Sequence, residues 1–161
     1  MVPLLNDPEV ARFIPLIAHP YTRRHWAAWM RKHRGGPERR AEGLSYPFAI
    51  EMDGRVVGSI GYRWDAKDRA ANIGYIVGKR YRRQGIATEA ARAITDHAVR
   101  DLRAERVWAT VLKGNRGSPQ VLQACGMRLE GVLREHQVHQ GRRVDIEYYA
   151  VLRSEWRRRR K

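Results

Sequence analysis

Apolar positions recur along this chain with two periods, and the switches between them divide it into elements. The run "LLNDPEVARF" places Asn6 as a helix N-cap with Pro8 near the first turn, which predicts a short helix. "TRRHWAAWMRKHR" (22–34) then sets Trp26, Trp29, Met30 and His33 on one helical stripe. After the polar interval "GGPERRAEGLS" the period drops to two. "YPFAIEM" and "RVVGSIGYRW" read as strands joined at Asp53-Gly54, a dipeptide that favours a tight hairpin, and "ANIGYIVG" reads as the next strand. From Ala87 helical spacing returns, with Ala87, Ala90 or Ala91, Ile94, Ala98 and Leu102 on one face and Glu89, Arg92, Asp96 and Arg100 opposite. The strand "RVWATVL" follows, then "GNRGSPQVLQACG", in which Ser118 and Pro119 read as N-cap and first-turn proline and Gly126 as the stop. "MRLEGVLREHQVHQ" and "RRVDIEYYAVL" complete the pattern as strands turning near Gln140-Gly141. Hairpins beside a strand-helix-strand unit predict an α+β fold around a mixed sheet.

Length and composition narrow the picture. With 161 residues, 43% of them hydrophobic, the chain suits one domain with a sizeable core, taken as 1–156, followed by a basic tail, 157–161. No apolar run is long enough to span a bilayer and no signal-peptide pattern opens the chain, so no membrane partner is expected. The single Cys125 has no partner for an internal disulfide, suits a reducing cytoplasmic setting and reads as small core packing. Six histidines lack metal-ligand spacing, so no metal is expected. The 32 Lys and Arg against 17 Asp and Glu leave a net charge of +15, which attracts nucleic acid, anionic surfaces and phosphorylated small molecules and repels polycations. The terminal "RRRRK" reads as a solvated tail that, in contact with phosphates, would bring the protein near RNA.

"RYRRQGIATEAA" (80–91) is the segment most informative about chemistry. A strand that runs through a basic, glycine-containing turn into a helix gathers unpaired backbone N–H groups and the positive end of a helix dipole in one place. Such a place cradles an anion. Gly85 permits close approach, Ala87 keeps the next turn small, and Arg82 and Arg83 can reach outer phosphate oxygens. The segment is neither a Walker loop nor the Gly-x-Gly-x-x-Gly of dinucleotide folds. Read on its own, solvated surface charge around a turn explains it equally well.

The chain as a whole resembles the GNAT superfamily of acetyl-CoA-dependent N-acetyltransferases. The Arg/Gln-x-x-Gly-x-Gly/Ala motif is matched by Arg82-Arg83-Gln84-Gly85-Ile86-Ala87, and "NIGYIVGKRYRRQGIATEAARAI", "GNRGSPQVLQACGMRLEGVLRE" and "GRRVDIEYYAVLRSEW" are similar to the Rim-type branch, which contains ribosomal-protein N-terminal acetyltransferases. The likeness runs from about Pro3 to Trp156. It implies a twisted, mostly antiparallel mixed sheet flanked by helices, with a splayed strand pair that holds acetyl-CoA. Relatives usually begin with a strand before the "LLNDPEVARFI" helix, so a first strand and its sheet edge are left unaccounted for. On the same resemblance, Ile76 and Val77 lie along the pantetheine arm, and the N–H groups of Arg83, Gln84, Gly85, Ile86, Ala87 and Thr88 receive the pyrophosphate. Asn115 bonds the pantetheine. The Val77 N–H polarises the thioester carbonyl, and the helical region carrying Trp26 and Trp29 lines the acceptor groove.

Catalytic side chains are harder to place. Ser118 matches the serine that some relatives use to protonate the departing thiolate, although a helix N-cap accounts for it as well. Many relatives carry a glutamate where this chain has Asn72, and ribosomal-protein acetyltransferases carry one where it has Gln137; neither amide can take up a proton. That leaves Glu135, two residues from Gln137 and thus on the same strand face, with His136 and His139 nearby. Asp145 matches a family position and reads as a hairpin carboxylate. A weakly equipped base favours a protein N-terminal α-amine as acceptor over lysine or a polyamine. A small-molecule amine such as a polyamine or antibiotic, or a non-catalytic RNA- or ribosome-binding role, stands as the alternative, and a homodimer is allowed for.

Overall fold

The computed structural model describes residues 1–15, 17–32 and 45–158. His33, most of the "GGPERRAEGLS" interval and residues 159–161 lie outside them. Helices α1 (Val2–Leu5), α2 (Pro8–Phe13) and α3 (Arg23–Lys32) precede strands β1 (Ser45–Met52), β2 (Arg55–Asp65) and β3 (Ala70–Val77). A short 3₁₀ turn (Lys79–Tyr81) leads into α4 (Ile86–Arg100), followed by β4 (Arg106–Leu112), α5 (Gly117–Ala124), β5 (Arg128–His139), β6 (Arg142–Leu152) and α6 (Arg153–Arg158). Helix α6 takes in Arg157 and Arg158, so helical backbone runs two residues into the expected tail.

The sheet runs in the order β1-β2-β3-β4-β6-β5, antiparallel throughout except for β3 against β4. Both expected hairpins form, and at each turn the central pair, Asp53-Gly54 and Gln140-Gly141, has positive φ. That backbone twist matches the twist of the strands it joins. Among the described residues β1 forms one edge and no strand lies outside it.

One face of the sheet is closed by α4 and α5. Ala91, Ile94, Ala98 and Val99 of α4 and Leu122 of α5 pack with Val107, Ala109, Val111, Tyr149 and Val151 into the main core. Alanines on the buried stripe of α4 let the helix lie close to the strands, while its exposed side carries Glu89, Arg92 and Arg100. Cys125 is buried in this core, which fits its expected packing role. A second cluster, Leu5, Val10 and Tyr21 with Trp26 and Ile76, joins α1–α3 to the opposite face. Asn6 does not cap a helix N-terminus. It ends α1 and grips Tyr21, donating from Nδ2 to the Tyr21 carbonyl at 2.7 Å and accepting the Tyr21 N–H at 2.8 Å. The cap of α2 is Asp7, whose carboxylate accepts the Glu9 N–H.

Candidate active site

Strands β3 and β4 pair only over Ala70–Asn72 against Arg106–Trp108 and then separate. Asn72 sits at the fork, its Nδ2 donating to the Trp108 carbonyl at 3.4 Å. Beyond the fork β3 keeps its other neighbour, pairing with β2 as far as Val77 opposite Gly58. The Gly78 N–H donates to the Val57 carbonyl, so in the antiparallel alternation the backbone groups of Ile76 turn to β2 and those of Tyr75 and Val77 turn to the gap. A cleft of about 490 Å³ occupies the opening, lined by Phe13, Ile14, Trp29 and Pro47 together with Ile73 to Ile76, Thr110, Asn115, Ser118 and Gln137.

The basic loop lies at the end of β3. Arg83 has φ 63° and Gly85 has φ 81°, so left-handed residues alternate with ordinary ones and the N–H groups converge. The first helical bond of α4 is Glu89 N–H to the Gly85 carbonyl, which leaves Ile86, Ala87 and Thr88 without partners earlier in the helix, at the positive end of its dipole. A Cβ built on Gly85 meets no protein atom within 4 Å, so the space beside it is open to a ligand. Arg83 and Gln84 are exposed, the Gln84 amide donating to the Arg80 carbonyl at 3.0 Å. Arg82 departs from expectation. Its guanidinium donates from Nε to the Val77 carbonyl at 3.0 Å and pairs with Asp7 at 2.6 Å and with Glu9, so it is a tie between this loop and α2 rather than an arm toward outer phosphates.

At the start of α5, Asn115 does what Ser118 was expected to do. Its Oδ1 accepts the N–H groups of Gly117 and Ser118, both at 3.2 Å. The Ser118 hydroxyl is thereby released from capping and lies 2.8 Å from the Tyr75 hydroxyl, which also reaches the Ser118 carbonyl at 3.2 Å. Burial pushes the Tyr75 hydroxyl up to about 12, against the lowering effect of Ser118, so it stays protonated as a donor at neutral pH. In the sequence Tyr75 reads only as one residue of the strand "ANIGYIVG". The signal available in the sequence was a hydroxyl on the strand immediately before an anion loop.

Glu135 falls outside the cleft. Strand β5 places three residues, Arg134, Glu135 and His136, between Leu133 and Gln137, while β6 places one, Asp145, between Ile146 and Val144. Glu135 sits in this bulge with φ 51°, its N–H held by Asp145 Oδ1 at 2.9 Å and its carbonyl by Arg143 at 2.9 Å. The alternation that would have aligned it with Gln137 is broken there, and only Gln137 lines the cleft. His139 donates to the Arg12 carbonyl at 2.9 Å and His136 rests edge-on against Tyr148, so neither borders the cleft. Asp145 is the hairpin carboxylate expected of it: the Glu135 N–H and then Lys113 hold it below the usual aspartate range. Among the described residues no group of acidic, histidine or cysteine side chains could hold a metal ion.

Fork, cradle and cleft together fit a long ligand that carries a diphosphate at one end and an extended arm along β3. Comparison with known proteins gives that arrangement a family. Residues 1–128 match the family described as "Acetyltransferase (GNAT) domain". The chain is 25% identical over 152 residues to "Uncharacterized N-acetyltransferase p20" of Bacillus licheniformis, covering 94% of this chain and 84% of that protein. It is similar to the solved Mycobacterium smegmatis RimJ in complex with CoA-disulfide, with a TM-score of 0.83 at 28% identity, covering 96% of this chain and 75% of that one. It shares its fold with the spermidine N-acetyltransferase from Vibrio cholerae in complex with CoA and spermine, with a TM-score of 0.80 at 18% identity over 96% and 89% of the two chains. The chain belongs to the GNAT acetyltransferases and is an acetyl-CoA-dependent N-acetyltransferase.

Proposed function

We propose that the acceptor is the α-amine of a protein or peptide N-terminus. The observation that carries this reading is the chemistry of the cleft wall: among the described residues that line it there is no carboxylate, and its one charged side chain is Arg63. Asn72 and Gln137 occupy the places where the family resemblance would put glutamates. A site without a base selects for an amine that arrives neutral. An α-amine with pKa near 8 is about a fifth neutral at pH 7.4, whereas a lysine is neutral in about one part in a thousand. A polyamine also needs acidic groups to hold it, and here it meets an arginine inside a chain of net charge +15. The same positive field supports an acceptor presented beside RNA or on an acidic protein, as at a ribosome, in a cytoplasmic setting.

In this reading each part of the site has one task. Converging N–H groups from Arg83 to Thr88 hold the coenzyme's diphosphate, while Ile76, Val77 and the Asn115 amide border its arm. The Val77 N–H, turned to the gap, polarises the thioester carbonyl. Ser118 delivers its proton to the departing thiolate and regains one from water, its Oγ positioned by the Tyr75 hydroxyl 2.8 Å away. The ammonium proton of the attacking amine escapes to water through the cleft mouth, with no side chain needed to take it.

Free-thiol release from acetyl-CoA tests the reading with four acceptors: peptides with free N-termini, N-acetylated lysine peptides, spermidine and an aminoglycoside. Turnover is expected with the free N-termini. Faster turnover with spermidine or the blocked lysine peptides would overturn it.

A further inference from the structure

We propose that Arg63 forms a carboxylate-binding subsite, so that the preferred acceptors carry a carboxylate close to the reacting amine. This inference rests on the N-terminal reading above and makes it more specific. On β2, Tyr62 and Ile60 are buried toward the α4 face, so Arg63 and Gly61 project from the opposite, cleft side. Arg63 stands directly across from Asn72, the fork residue, and Gly61 across from Gly74. One strand step of two residues, about 7 Å, therefore separates Arg63 from the stretch of β3 that flanks the opening, a span an arginine side chain covers.

Among the described residues the exposed Arg63 side chain also has no intramolecular partner, neither ion pair nor hydrogen bond. Other exposed arginines such as Arg55 and Arg83 likewise have no ion pair among them; what sets Arg63 apart is that it lines the cleft. Among the described residues no acidic side chain lines the cleft to neutralise it. An unpaired, forked guanidinium in a partly enclosed cleft is matched by a carboxylate, which it can bind through two parallel hydrogen bonds. Two sources offer that group beside an amine: an acidic residue near a peptide N-terminus, or the α-carboxylate of a free amino acid.

The experiment measures kcat/KM by thiol release for three C-terminally amidated hexapeptides, identical except for Asp, Ala or Lys at the second and third positions. Free aspartate and alanine form a second arm, and spermidine a third. The acidic peptide is expected to exceed the neutral one by about tenfold or more, the scale of a hydrogen bond to a charged group. That ratio should collapse in Arg63→Ala, survive in part in Arg63→Lys, and invert toward the lysine peptide in Arg63→Glu. Coenzyme A binding by calorimetry checks that each variant is folded. A preference for free amino acids over all peptides would keep the carboxylate subsite and replace its source. Equal rates for acidic and neutral peptides, or a preference intact in Arg63→Ala, would overturn the subsite while leaving the N-terminal acceptor standing. Transfer to spermidine and to no peptide would overturn both.

Discussion

Tyr75 and Ser118 put two hydroxyls in contact beside the cleft, their oxygens 2.8 Å apart. Burial keeps the Tyr75 hydroxyl protonated to about 12, so at neutral pH both groups carry a proton and either one can be the donor to the other, while the Tyr75 hydroxyl also donates to the Ser118 carbonyl. Ser118→Ala is expected to lower kcat by about a hundredfold, the lower end for a positioned general acid, and Tyr75→Phe by about tenfold. The KM for acetyl-CoA should hardly move in either. Since both act on one proton, the double variant should match Ser118→Ala alone, and additive losses would show that the pair does not work as a unit. Residue types were legible here and pairings were not. Ser118 followed by Pro119 reads as a cap from local spacing, but Asn115 three residues earlier reaches both N–H groups, and the Tyr75 contact spans 43 positions. Arg82 was misread for the same reason, because its carboxylates lie 75 and 73 residues away on α2.

At the level of elements, the loop before α4 and the β5–β6 hairpin carry the testable claims. Gly85 is left-handed, and the space a side chain would enter is free of protein, so substitution tests the cradle rather than a clash. Gly85→Val should abolish coenzyme A binding in calorimetry while the strain lowers stability by about 1–3 kcal/mol. Unchanged binding would exclude the loop as the diphosphate site. In the hairpin, Asp145 holds the bulge that brings Gln137 to the cleft wall. Its pKa is lowered in the folded chain, so the unfolded chain binds the proton more readily. Its contribution to stability is therefore present above the ordinary aspartate value near 4 and lost as pH falls below it. Denaturation of the parent and Asp145→Asn should differ at pH 7 and converge in acid; a gap that persists at pH 2 would refute the assignment. Two-residue turns were readable because Asp53-Gly54 and Gln140-Gly141 are local signals. The bulge was not, since it depends on one carboxylate meeting an N–H ten residues away, across a turn that period-two patterning passes over.

Across the whole molecule the two faces of the sheet have different duties. One is sealed by α4 and α5 over the main core, and the other leaves the cleft between the forked strands and α1–α3. Alternating periods and the family motifs made this plan legible, since it is written in regular patterns of apolar residues. The net charge of +15 acts at the same scale, as a field rather than a contact. Acetyl transfer to an acidic peptide should slow as ionic strength rises, with a smaller change for a neutral one; identical salt responses would show that the field takes no part in acceptor capture.

The arginine knot between Val77, Asp7 and Glu9 ties the end of β3 to the start of α2, the helix that brings Phe13 to the cleft wall. A tie of this kind is expected to couple coenzyme and acceptor, each raising the other's affinity by the same factor. Calorimetry of each ligand with and without the other reads that factor, and Arg82→Ala should bring it to one.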